Sequence, residues 1–135
     1  APAYLKRRGR PKTPRDLDHH DTISFSSMDG ERWRFSGAEV AVRPRLTVNT
    51  AEAAIDAAVV GFGITRVLSY QAIDALAGKT LARVLRQHEP DEIPVHVLYP
   101  GGRHPPPKLR AFLDALVPRL RQRCERIARS LSKVP

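Results

Sequence analysis

The chain has a single cysteine, Cys124, and that scarcity closes two routes at once. No intramolecular disulfide can form, and no cysteine-based zinc site can be built. A reducing compartment fits. Long apolar runs are missing as well: none approaches the roughly 18 residues that a membrane span needs, so no membrane partner is expected. No signal peptide opens the chain, because Ala1-Pro2-Ala3-Tyr4 leads straight into charge. The expected location is therefore cytoplasmic, and the missing initiator methionine points to a fragment. Acidic residues are absent from residues 1–15, which carry Lys6, Arg7, Arg8, Arg10, Lys12 and Arg15.

Motifs that would carry catalysis are also lacking. No serine sits in a Gly-x-Ser-x-Gly elbow, and Cys124 lies in a basic helical stretch with no histidine close in sequence. Gly61-Phe62-Gly63 starts like a dinucleotide fingerprint, but its third glycine would fall at Arg66, and it follows a helix where the fingerprint needs a strand. It reads instead as a helix stop turning into a strand. Gly78-Lys79-Thr80 ends like a phosphate loop, yet the first glycine would have to be Ile73. His19-His20-Asp21 offers metal-ligand side chains without a distant third ligand at a useful spacing. Asp91-Glu92 reads as an exposed turn, and Trp33 with Phe35 as a packed strand face. The expectation is no enzyme, no metal and no cofactor.

What the chain does have is positive charge. Its 135 residues carry a net charge of +9, with 41% hydrophobic and 27% charged residues. That suits one soluble domain with a core. The charge sits at the ends. Residues 103–135 carry nine basic residues against Asp114 and Glu125, whereas residues 16–102 carry eight basic and twelve acidic. The basic start contains Arg8-Gly9-Arg10-Pro11, the letters of an AT-hook, in which an extended segment enters the minor groove of A·T-rich DNA. A stand-alone basic nucleic-acid-binding protein is therefore one reading of this chain. A periplasmic solute-binding fragment is another, but it needs a signal peptide.

The coarse pattern alternates strands and helices. Tyr4–Arg8 reads as a helical turn stopped by Gly9 and Pro11, and Pro14–Leu17 as a turn into a second helical segment. Ile23–Phe25 and Trp33–Phe35 read as strands, with a hairpin signal at Asp29-Gly30 between them. Val40–Val48 alternates as one strand, and Pro44 within it demands an edge position or a bulge. Asn49 or Thr50 caps a helix whose apolar face is Ala51, Ala54, Ile55 and Ala58, ended by Gly61. Ile64–Leu68, Leu81–Leu85 and Pro94–Tyr99 read as further strands, and Gln71–Ala77 as a helix closed by Gly78. After Pro105-Pro106-Pro107 comes a long amphipathic helix with Leu109, Phe112, Leu113, Leu116 and Leu120 at helical spacing. Pro118 kinks it or starts a second segment. The sum is an α/β fold.

Seven short stretches, taken in order, resemble a known family. They are Pro2-Ala3-Tyr4-Leu5 with Gly9-x-Pro11-x-x-Pro14-x-Asp16-Leu17-x-x-His20; Trp33-x-Phe35; Pro44 through Thr50; Ala53-Ala54-x-x-Ala57-Ala58-x-x-Gly61-x-Gly63-Ile64; Leu81-x-x-Val84-Leu85; Pro94-Val95-x-Val97-x-Tyr99-Pro100-x-x-Arg103; and Pro107-Lys108-x-Arg110-Ala111-Phe112-x-Asp114-x-Leu116. Their order and intervals, from residue 2 to about residue 121, are similar to the effector-binding domain of LysR-type transcriptional regulators. Leu68 departs from the family, which often has proline there, and Gly78–Leu81 is one residue longer than usual.

The resemblance implies a fold like the type-2 periplasmic binding proteins, with two α/β subdomains flanking an effector cleft. Residues 1–100 would be the second subdomain. Residues 101–135 would be the return segment and a helix of the first subdomain, the rest of which the chain does not encode. Tyr99 and Pro100 would belong to the hinge. DNA would be reached through a helix-turn-helix domain that the chain lacks, and the protein would form homo-oligomers. Asn49 and Thr50, which end a strand and open a helix, are the expected contacts to a small effector bearing a carboxylate or another polar group. Ser24 and Arg66, near the ends of neighbouring strands, are further candidates. Under this resemblance Gly9 and Pro11 belong to the turn after the first helix, and not to a hook.

Overall fold

The computed structural model describes residues 1–28, 30–99 and 106–132. Helix α1 (Pro2–Arg8) has a proline in its first turn, where no backbone donor is lost, and Lys6, Arg7 and Arg8 in its last, where they face the negative end of the helix dipole. Gly9 ends it at φ +85°, a left-handed value that favours glycine. Tyr4 is buried, and its hydroxyl accepts from the Asp21 N–H at 2.8 Å. A 3₁₀ turn over Pro14–His19 follows. The Asp16 carboxylate accepts from the N–H groups of Lys12 (2.8 Å) and Thr13 (3.0 Å) and from the Thr13 hydroxyl (2.9 Å).

Strands β1 (Thr22–Phe25), β4 (Pro44–Val48) and β5 (Ile64–Thr65) form a parallel sheet in the order β4-β1-β5. Thr22, Ile23 and Ser24 of the central strand are all buried, as expected for a strand covered on both faces. Helix α2 (Ala51–Val59) makes the crossover from β4 to β5 and lies against all three strands. Its Ala54 and Ala58 pack on Ile23, and their small side chains let the helix sit close to the sheet. The other face carries a second core of Tyr4, Leu17, Trp33, Val42, Ile64 and Leu85. Ile64 pairs with Thr22, so it points away from the Ile23 side. Helix α3 (Ser69–Ala77) packs on α2, and α4 (Pro107–Ser132) packs on α3.

Several expectations need correction. β1 does not pair with β2 (Arg32–Phe35). Both edges of β1 are already taken by β4 and β5, so the turn signal at Asp29-Gly30 joins two different sheets; Asp29 itself lies outside the described residues. β2 pairs instead with β3 (Ala38–Ala41) around Gly37, which stands at φ +72°. The expected single strand Val40–Val48 is thus two strands, β3 and β4. Pro44 opens β4 at the sheet edge, beside a register shift between Thr22 and Ile23, which gives the missing N–H no ladder to break.

Leu81–Leu85 forms no strand. Leu81 packs into the Ile23 cluster while Val84 and Leu85 reach the Tyr4 cluster, so its alternating apolar residues serve two cores across the sheet's end. Pro94–Tyr99 also forms no strand, and every residue in it is exposed. A strand needs a ladder, and no described strand offers it one. Helix α4 runs unbroken through Pro118 for 26 residues.

Candidate ligand-binding site

In a parallel α/β sheet the strand carboxyl ends, with the helix N-termini that follow them, form the usual ligand edge. Here that edge is made by Phe25, Val48 and Thr65, and the chain turns from it at Ser26, Asn49 and Arg66. Asn49 and Thr50 are both exposed there. Thr50 is the N-cap of α2. Its extended backbone lets the hydroxyl oxygen accept from the Ala53 N–H at 3.2 Å. The first N–H groups of α2 lie at this edge, where a polar or anionic group is stabilised by donors and by the helix dipole.

Asn49 and Thr50 adjoin each other at this edge, Arg66 follows β5 at the same edge, and Ser24 lies one residue back within β1. Ser24 is buried within β1, and its hydroxyl donates to the Gly30 carbonyl at 2.9 Å. It ties the loop after β1 to the strand and does not face the edge. Arg66 is half-buried in a shallow recess beside Phe25, Met28, Gly30 and Trp33. Burial lowers its pKa from the ordinary guanidinium value. Tyr99 is exposed, and Pro100 lies outside the described residues.

The residue that sequence reading missed is Ser26. Phe25 pairs with Val48, so Ser26 falls beside Asn49, and its N–H donates to the Val48 carbonyl at 2.9 Å. It is exposed, as is Ser27. The signal was in the sequence, because Ser26 ends an apolar run, but only the register shows which serine clears the strand.

The histidine pair finds other work. His20 Nδ1 lies 3.2 Å from the Tyr4 hydroxyl. Burial, and next the charge of Arg8, hold its pKa below the ordinary value. Asp21 faces Arg8 and Arg45.

Residues 1–121 match the family model described as the LysR substrate binding domain. The chain belongs to that family. Among its relatives are the HTH-type transcriptional regulator PgrR of Escherichia coli, 35% identical over 123 residues, which are 86% of this chain and 41% of that protein. A putative transcriptional regulator of Pseudomonas aeruginosa is 31% identical over 123 residues, 86% of this chain and 40% of its own. The chain thus spans about two-fifths of the length of such relatives.

Solved LysR-type structures share the fold. The regulatory domain of AphB from Vibrio vulnificus superposes with a TM-score of 0.67 at 21% identity, covering 87% of this chain and 60% of that one. CrgA, a LysR-type regulator from Neisseria meningitidis, gives 0.63 at 21% identity, covering 68% and 33%. The type-2 periplasmic-binding-like α/β fold expected from the sequence is therefore the fold of this LysR domain.

The AT-hook reading finds no support. Arg8 is the last residue of a helix, Gly9 stops it, and Pro11 is buried, whereas a hook needs an extended segment free to enter a groove. The loop lies inside the matched LysR domain.

Proposed function

We propose that this chain is the effector-sensing part of a bacterial LysR-type transcription regulator, acting in the cytoplasm, without catalysis. Residues 1–100 form the second subdomain, and residues 101–135 return to the first. A small effector with a carboxylate or comparable polar group sits at the carboxyl edge of the sheet, held by Asn49, Thr50 and the first N–H groups of α2, with Ser26 beside them. Tyr99 and Pro100 serve as hinge. The effector binds two subdomain or dimer arrangements with different affinity, and a helix-turn-helix domain outside this chain reads the resulting shift on DNA.

The observation that carries this reading is the match over residues 1–121 to a family whose relatives are named as transcriptional regulators. Location is supported by chemistry alone: among the described residues no helix is long and apolar enough to cross a membrane, and Cys124 is a free thiol.

A thermal-shift screen of small organic acids tests the site. At least one compound should raise the melting temperature of the chain saturably, and Thr50→Val should abolish that rise while Thr50→Ser keeps it. An effector response that survives Thr50→Val at full strength would remove Thr50 from the site.

A further inference from the structure

A concave region lies at the opposite, amino edge of the same sheet. β1 and β4 are four and five residues long, so at roughly 3.3 Å per residue the two edges stand about 15 Å apart. The cleft there has a volume of about 400 Å³ and is lined by Tyr4, Arg7, Arg8, Asp21, Arg45 and Phe62, among others. These residues come from the end of α1, the residue before β1, the start of β4 and the turn before β5. Parallel strands bring their starts to one place, and that alone gathers them.

The charge in this cleft is unbalanced. Three guanidinium groups face a single carboxylate. Asp21 lies 3.6 Å from Arg8 and 3.6 Å from Arg45, one partner on each of its oxygens. Both distances exceed the roughly 2.7–2.9 Å of a charge-assisted hydrogen bond, and each guanidinium has five donors, so most of that donor capacity points elsewhere. Arg7 donates to the Gly61 carbonyl at 3.3 Å, and Arg45 stacks over Phe62 at 4.7 Å from the ring centroid. A helix C-terminus accounts for arginines at the end of α1, but not for Arg45, which arrives from a strand on the other side.

The floor is rigid. The Asp21 N–H is held by the buried Tyr4 hydroxyl, its carbonyl accepts from the Ile64 N–H at 2.9 Å, and Gly63 packs directly on that carbonyl. The carboxylate is the recessed group, 26% exposed, while Arg8 and Arg45 form the rim at 51% and 60%. Beside them Val60 and Phe62 present exposed apolar surface.

We propose that this cleft is a second ligand site, distinct from the carboxyl edge, which binds a phosphate dianion between Arg8 and Arg45. Arginine forks match phosphate oxygens two at a time, and Asp21 beneath faces both side chains and offsets their mutual repulsion when the site is empty. The phosphate is either the free ion or the end of a small monoester whose organic part lies on Phe62 and Val60. The proposal does not depend on the effector reading, since it uses none of the same residues.

Titration of the full chain with inorganic phosphate and with phenyl phosphate, at constant ionic strength, tests it. A saturable response is expected, weakened roughly tenfold or more in Arg45→Ala and unchanged in Arg119→Ala, which removes the same charge from α4. Asp21→Asn should tighten binding by removing the competing carboxylate. Tighter binding of phenyl phosphate than of inorganic phosphate assigns a monoester; equal binding assigns the free ion. A response that fails to saturate, or that sodium chloride of the same ionic strength reproduces, overturns the proposal, as does equal weakening by Arg45→Ala and Arg119→Ala.

Discussion

Single side chains here often hold two tasks, and Thr50 is the clearest case. As N-cap it satisfies the Ala53 N–H, a role whose loss costs about 0.5–2 kcal/mol. In the proposed site the same hydroxyl also donates to the ligand. Thr50→Val therefore should lower the melting temperature by a few degrees and remove the effector response, and the serine variant should restore both. Asp16 has one task. Hydrogen bonds from the Lys12 N–H, then the Thr13 N–H and hydroxyl, lower its pKa from the usual carboxylate value. A carboxylate depressed in the folded state adds stability above its unfolded pKa and loses it as pH falls through the folded one. Asp16→Asn should accordingly flatten the loss of stability below about pH 4, measured by denaturant melts from pH 6 downward.

Elements fit together through close backbone approaches as much as through apolar faces. The turn from α2 into β5 passes so near β1 that a Cβ on Gly63 would stand 2.4 Å from the Asp21 carbonyl oxygen. That atom is backbone, already held by the Ile64 N–H at 2.9 Å, and has little room to give. Gly63→Ala is expected to destabilise the chain by about 1–3 kcal/mol, read as a lowered midpoint with unchanged slope in a urea melt. Because β5 then moves relative to β1, the same variant should also weaken phosphate binding at the amino edge. Helix boundaries were largely legible without coordinates: Gly9, Gly61 and Gly78 end α1, α2 and α3 within a residue or two. Strand pairing was not. Ile23–Phe25 and Trp33–Phe35 carry the right alternation, but alternation says nothing of which neighbour completes the ladder.

For the molecule as a whole, the surface along α4 bears on association. Leu109, Leu113, Leu116 and Leu120 are half-buried and Phe112 is exposed. Contact with α3 and the Arg83 side chain, which donates to the Leu131 carbonyl at 3.2 Å, covers part of the helix. The exposed segment Ile93–Tyr99 adds further apolar area. A full aliphatic burial is worth roughly 1.5–3 kcal/mol, so such a surface favours association. The chain should form a homo-oligomer at tens of micromolar by light scattering, and Leu116→Glu should shift it toward monomer. A chain that is monomeric and well folded at that concentration would contradict this. The basic side chains of α4, Arg119, Arg123 and Arg126 among them, repel parallel copies, so an antiparallel pairing is expected.

The sequence by itself determined the α/β class, the helix stops, the alanine face of α2 and the absence of catalytic motifs. These follow from local rules: periodicity, capping, and the few residues that tolerate special backbone angles. It also carried the LysR resemblance, because that rests on intervals along the chain. Tertiary structure decided what depends on register and on which ends meet. It buried Ser24 and put Ser26 at the edge, turned Arg66 toward Trp33, and left Pro94–Tyr99 without a ladder. It also set Arg7, Arg8, Asp21, Arg45 and Phe62 around one cleft, although they are spread over more than fifty positions of sequence. Only parallel pairing of strands brings such distant residues together, and no local pattern encodes it.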